Sequence, residues 1–233
     1  MGTQTKDDIK TINTRWLGND DVILPNDGNV CYACPLNKER NAISTHVFAD
    51  LVEKTCPSVG DSSSPIPTHC IIIESTIRKG KSRASESFHA AVFDNCGDAD
   101  VVTGHNKKVD PALKFYNGIF LMINTNKDLS KGRANGTLCR GLGIKLKDNA
   151  HLRSKNWDGK LIPTVSVDDI EYMLCEHYED SLTPFTKFKL YPEKESVKIN
   201  LKLLGNMMSI GGVSMTQFAV NSTLLQQGTS HKG

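Results

Sequence analysis

Apolar positions follow two rhythms along this chain, and the change falls near Pro57. Upstream, Ile9, Ile12, Trp16 and Leu17 recur on one helical face, with Asp7 or Asp8 as cap and Gly18-Asn19 as stop. Val30 to Cys34 is a short, nearly unbroken apolar run that reads as a buried strand closed by Pro35. Asn37 then caps a second helix, whose Ile43, Val47 and Leu51 are spaced for one face and which Pro57 ends. Helix, strand, turn, helix is the order of an α/β domain around a buried parallel sheet.

Downstream the segments are short and separated by turns. Ser58 to Pro67 is a Ser/Pro/Gly linker. Thr68–Thr76, Ile119–Thr125, Thr137–Leu146 and Leu161–Val167 read as strands. Lys187–Tyr191 and Val197–Leu203 alternate in the manner of strands with one wet face. Asp169–Tyr178 is ambiguous: Ile170, Met173, Leu174 and His177 fit a helix, while Tyr172, Leu174 and Tyr178 fit a strand. Val213–Val220 looks like a return to a buried strand. The expected class is α+β: an α/β unit over 1–57, a linker over 58–67, a small, partly open β-barrel inserted over 68–211, and a return strand over 212–233.

Composition narrows the function classes. With 233 residues, 38% hydrophobic and 23% charged, the chain can build one or two compact domains and is too apolar for disorder. Its longest apolar runs, Cys70 to Ile73 and Ile119 to Ile123, are far short of a membrane span, and Met1 to Lys10 is polar, with no apolar stretch flanked by a cleavage site, so a secretory leader is not expected. A soluble, intracellular protein is expected, the nucleus among the candidate sites. Seven cysteines without a secretory signal read as reduced thiols packed as small hydrophobes. Cys31 and Cys34 form the one CxxC, and without a second pair no zinc is expected. Asn135-Gly136-Thr137 and Asn221-Ser222-Thr223 match the glycosylation pattern, which means little without a secretory route.

The net charge of +2 hides an asymmetry. Between Lys131 and Lys160 stand Lys131, Arg133, Arg140, Lys145, Lys147, Arg153, Lys155 and Lys160 against Asp148 and Asp158, eight less two, or +6. From Asp168 to Asp180 there are six carboxylates and no Lys or Arg. Arg78, Lys79, Lys81 and Arg83 form a second basic cluster. Basic stripes in a nearly neutral chain suit a polyanion track, and a solvated loop face is the competing explanation. The acidic stretch is expected to avoid the basic surface, because it would repel the same phosphates.

The search for intrinsic chemistry returns little. Gly80-Lys81-Ser82 has the last letters of a phosphate-binding loop, but Ser75 stands where that loop needs its first glycine. There is no GxSxG elbow or HExxH, and pairing Cys34 with a histidine has no local signature behind it.

Three segments carry information together. Ala33-Cys34-Pro35-Leu36-Asn37-Lys38-Glu39-Arg40-Asn41-Ala42-Ile43 resembles the strand-to-helix turn opening the second RecA-like lobe of PIF-family and Helitron-type DNA helicases. Tyr116 to Leu129, continuing through Arg133-Ala134-Asn135-Gly136-Thr137, resembles that family's hairpin with Asn-x-Asp and Asn-Gly-Thr. Met215 to Val220, followed by Thr229-Ser230-His231-Lys232, is similar to the strand leading into its Thr-x-His-Lys-x-Gln-Gly motif. The helix residues Ile12-Asn13-Thr14-Arg15 fit before the first segment, whereas 168–211 matches nothing in the pattern.

The resemblance implies part of a RecA-like lobe with an inserted β-barrel. It carries the single-stranded DNA contacts of a helicase whose ATP and magnesium sites would lie in a missing partner lobe. No cofactor and no catalytic residue are then expected here, and the piece could be a mobile-element remnant. The implied DNA-contacting residues are Asn37, Lys38, Lys131, Arg133, Asn135, Gly136, Thr137, Arg140, His231 and Lys232. Asn37 at a helix N-terminus offers donors to a phosphate, although it would serve equally as a plain cap. Asn135-Gly136 suits a type I′ hairpin turn, since both residues tolerate positive φ. A free-standing nucleic-acid-binding barrel is the alternative reading, and a Cys/His enzyme the third.

Overall fold

A computed structural model describes residues 37–60, 70–88, 92, 100–103, 110–126, 133–177, 187–203 and 206–223, all within one compact unit, Ala33–Leu224. Among them the chain is mostly β-sheet. One long helix, α1 (Asn37–Thr55), precedes fourteen strands. These are β1 (Cys70–Glu74), β2 (Thr76–Lys79), β3 (Ser82–Arg83), β4 (Asp100–Thr103), β5 (Ala112–Tyr116), β6 (Phe120–Ile123) and β7 (Leu138–Leu146). They continue as β8 (Arg153–Trp157), β9 (Lys160–Ser166), β10 (Ile170–His177), β11 (Lys187–Leu190), β12 (Glu193–Leu203), β13 (Asn206–Gln217) and β14 (Val220–Thr223). The helix and strand expected upstream of Asn37 lie outside the described residues.

Three sheets result, with orders β5-β1-β9-β8, β11-β10-β7-β6-β14 and β3-β2-β13-β12-β4. The run Cys70-Ile71-Ile72-Ile73 explains the layering. Ile71 and Ile73 join Leu113, Phe115, Leu121, Met173 and Phe218 in the core between the first two sheets. Cys70 and Ile72 point to the other face and meet Phe48 and Val52 of α1 and Cys56 just beyond its end. A strand buried on both faces has no wet position to alternate with, hence its unbroken apolar sequence. Among the described strands one pair is parallel, β1 with β9; every other pairing is antiparallel.

Two local expectations are corrected. The buried stripe of α1 is Ser44, Phe48, Val52, with Val47 and Leu51 only half-buried at its flank. The helix is thus turned by about one residue, or roughly 100°, so that the large Phe48 ring reaches Trp157 at 5.6 Å between centroids. The ambiguous segment is a strand, β10, because its partners β7 and β11 satisfy it on both edges.

The third sheet has its own core of Ile77, Val92, Val197, Ile199, Val213 and Met215. Among the described residues β3 and β4 are its outermost strands. The chain enters it through Ser75 and leaves it through Phe218-Ala219. Gln217 fastens that junction: its buried side-chain amide donates to the carbonyls of Ile73 and Pro111, at 3.2 and 3.3 Å. Its Oδ-equivalent acceptor, Oε1, takes the Phe218 N–H at 3.0 Å. Strands from the expected insertion, 68–211, are shared among all three sheets.

Candidate nucleic-acid interface

The hairpin segment is built as a pinched loop between β6 and β7. The Ile123 N–H donates to the Thr137 carbonyl at 2.9 Å, and the Gly136 N–H to the Ile123 carbonyl at 2.8 Å. Ala134 to Thr137 is a β-turn closed by Thr137 N–H to the Ala134 carbonyl at 3.0 Å. Only Gly136 has positive φ, +94°, so the turn has the type II pattern instead of the expected type I′. Thr137 Oγ1 accepts from Ala134 N–H at 3.1 Å, and Asn126 Oδ1 accepts from Asn135 N–H at 2.8 Å. Asn135 and Gly136 are left exposed at the tip. Asn126 was visible in the motif but not marked as a site residue; the signal is that an Asn side chain readily takes a loop amide.

The type I′ turn exists elsewhere. Asp158 and Gly159, at φ +48° and +80°, join β8 to β9 with Trp157 opposite Lys160. The Asp-Gly pair is the sequence signal for it.

The described cations expected around the hairpin, Arg133 and Arg140, have internal partners. The Arg133 guanidinium lies over the Phe188 ring at 4.9 Å and donates to the Lys189 carbonyl at 3.5 Å. Arg140 pairs with Glu176 at 3.0 Å, and the two stand opposite each other in the β7–β10 register. This corrects the expectation that the acidic stretch avoids the basic one. Antiparallel pairing of β7 with β10 lays the two against each other, and Arg78 meets Asp168 at 3.3 Å in the same spirit. Lys147 donates to the Asp168 carbonyl. Much of the +6 run is therefore compensated locally: Arg153 pairs with Glu74 at 2.7 Å and Lys160 with Glu53 at 3.2 Å.

Asn37 and Lys38 form the first turn of α1, with Asn37 as the first helical residue rather than the cap. Lys131, His231 and Lys232 lie outside the described residues, as do Cys31 and Cys34. The structure brings Arg133, Asn135, Gly136 and Thr137 to one turn, with Arg140 further along β7.

Gly80-Lys81-Ser82 does not fit a nucleotide. Lys79 faces Ser82 across a two-residue turn, Gly80 has φ +62°, and the segment feeds strand β3, not a helix N-terminus. A phosphate cradle needs successive amides converging at a helix start, which this turn lacks. Among the described residues no group of three His, Cys, Asp or Glu side chains could hold a metal ion, and no described helix is long and apolar enough to cross a membrane.

No family model matches the sequence, and no curated protein matches it. Solved structures do. The Pif1 helicase from Candida albicans matches at 14% identity and a TM-score of 0.39, covering 81% of this chain and 33% of that one. Pif1 helicase from Bacteroides in complex with ADP-AlF3 and ssDNA matches at 15% identity and a TM-score of 0.38, covering 94% and 35%. Unliganded Pif1 from Bacteroides sp matches at 16% and 0.39, covering 84% and 41%. The chain is similar to stretches of Pif1 helicases and spans 33% to 41% of these three chains.

Proposed function

We propose that this chain is a single-stranded-DNA-tracking segment of an ATP-dependent DNA helicase of the PIF/Helitron type. It is part of the second RecA-like lobe with its inserted β subdomain, and it works with a partner lobe that holds ATP and magnesium. The segment supplies phosphate contacts and a guiding surface and no hydrolytic group. The observation that carries the reading is the Asn126–Asn135 hydrogen bond at 2.8 Å. It ties the Asn-x-Asp and Asn-Gly-Thr parts of the hairpin motif into one unit and leaves its tip exposed. The backbone N–H groups of Ala134 to Thr137 are all used within the turn, which leaves the exposed Asn135 side-chain amide as the donor for a phosphate oxygen.

A charge placed at the tip tests this. Asn135→Asp keeps a turn-forming side chain and adds a negative charge facing the phosphates. A labelled oligothymidine titrated by fluorescence anisotropy should bind wild-type protein weakly and the variant several-fold more weakly at low salt. Equal affinities would refute the role of the tip.

A free-standing nucleic-acid-binding module is the second reading, and the separate apolar core of the third sheet favours it. The two part on a single result. A helicase segment gains DNA affinity when a lobe with a phosphate loop is supplied in trans, and a free-standing module does not.

A further inference from the structure

We propose that the outer face of the third sheet is a second nucleic-acid surface, one that takes the phosphate backbone of a single strand. The choice of nucleic acid as the polyanion rests on the reading above; the surface itself rests on the pleat. Strand β12 begins Glu193-Lys194-Glu195-Ser196-Val197-Lys198, which is neutral in four charges as a sequence. Side chains alternate between faces, so the strand sorts them. Val197 and Ile199 are buried in the sheet's core, and Glu193 and Glu195 share their parity at its rim. Lys194, Ser196 and Lys198 take the other face, and all three are exposed.

The neighbouring strands continue that face. Ser196 stands opposite Ser214, Ser214 opposite Arg78, and Arg78 opposite Arg83, which makes one row across β12, β13, β2 and β3. Lys194 stands opposite Thr216. Ser209 donates to Asn200 Oδ1 at 2.8 Å, which extends the same polar face along β12 and β13. Arg78 is half engaged by Asp168. Arg83, Lys194 and Lys198 have no ion-pair partner among the described residues, in contrast to the hairpin cations.

The layout fits a sugar–phosphate backbone. Strands about 4.8 Å apart place Arg83 about 14 Å from β12, and Lys194 and Lys198 are about 13 Å apart along it. Hydroxyls of Ser196, Ser214 and Thr216 fill the space between, as donors to phosphate oxygens. The row Ser196, Ser214, Arg78, Arg83 holds no aromatic or aliphatic side chain on which a base could stack. Binding is therefore expected to be salt-sensitive and indifferent to base sequence.

The test removes the three free cations together: Arg83→Gln, Lys194→Gln and Lys198→Gln. Anisotropy titrations of labelled oligothymidine are run at several salt concentrations. With about three phosphates released, the log–log salt slope should become shallower by about 2, and affinity at about 0.1 M salt should fall on the order of 100-fold. Ser196→Lys adds a cation to the same row and should steepen the slope by about 0.7. Glu193→Gln with Glu195→Gln, on the opposite face, should leave the slope unchanged. A triple variant with the wild-type slope overturns the proposal. If Asn135→Asp weakens binding while the triple variant does not, this surface falls and the hairpin reading stands. A wild-type chain that binds no oligonucleotide sinks both.

Discussion

Replacing Gly141 with alanine tests how the hairpin strand is seated. Gly141 lies in β7, and its N–H donates to the Ile119 carbonyl at 2.8 Å while its carbonyl accepts from Gly118 N–H at 2.7 Å. A Cβ there would stand 2.7 Å from Phe115 Cε2 and 3.0 Å from Ile119 Cγ2. Both neighbours are 1% exposed within the central core, so neither can swing toward solvent. Overpacking of this kind costs about 1–3 kcal/mol. Lower entropy of the unfolded alanine chain returns about 0.4–1 kcal/mol, which leaves a net loss of roughly 1–2 kcal/mol. For a chain of this size that lowers the melting temperature by roughly 2–8 °C. Gly143, two residues on and on the same strand, has nothing within 4 Å of a built Cβ and no positive φ. Gly143→Ala should therefore be neutral or slightly stabilising. Urea unfolding followed by far-ultraviolet circular dichroism measures both variants. Phe115→Leu in the Gly141→Ala background should recover part of the loss, since the two residues share one space. The reasoning fails if Gly141→Ala is as stable as wild type, or if Gly143→Ala is equally harmed.

Arg140→Ala leaves the buried Glu176 carboxylate without its guanidinium and should cost about 1–3 kcal/mol, the low end reflecting the half-exposed arginine. Adding Glu176→Gln should restore much of it, and additive losses in the double variant would contradict the pairing. Burial, with the hydrogen bond shared with Cys70 behind it, pushes the Cys56 thiol from 9.0 up to about 11. The Cys139 hydrogen bond and burial raise Cys175, and burial raises Tyr116. A folded pKa above the unfolded one gives stability that is full below the unfolded value and lost as pH rises to the folded value. For Cys56 that window runs from about 9 to about 11, and a melting temperature constant from pH 8 to 11 would refute it. The purified chain should show no DNA-stimulated ATP hydrolysis, because Lys81 sits in a hairpin turn; turnover that Lys81→Ala abolishes would overturn that.

Sequence alone determined the strands whose pattern is local. Thr68–Thr76, Ile119–Thr125, Thr137–Leu146, Leu161–Val167 and Lys187–Tyr191 correspond to β1, β6, β7, β9 and β11 within a few residues. They did so because a β-branched or alternating run between turn residues has few other ways to be buried. The short polar strands, β8 (Arg153–Trp157) and β3 (Ser82–Arg83), carry no such pattern and exist because a turn delivers them to a partner edge. Asp169–Tyr178 could not be settled locally, since its apolar positions fit both periods; pairing on two edges decided it.

The candidate site divides the same way. The Asn-Gly-Thr turn was legible because turn chemistry is set by adjacent residues. Which cations are free was not, because that depends on what lies across a strand pair. Arg140 faces Glu176 through a register joining residues thirty-six apart, and no local rule exposes that distance. The reverse holds on β12, where a charge-neutral sequence becomes a basic face and an acidic rim once the pleat is imposed. Local chemistry fixed the turns and strands. Only the tertiary pairing decided which charges cancel and which remain to meet a partner.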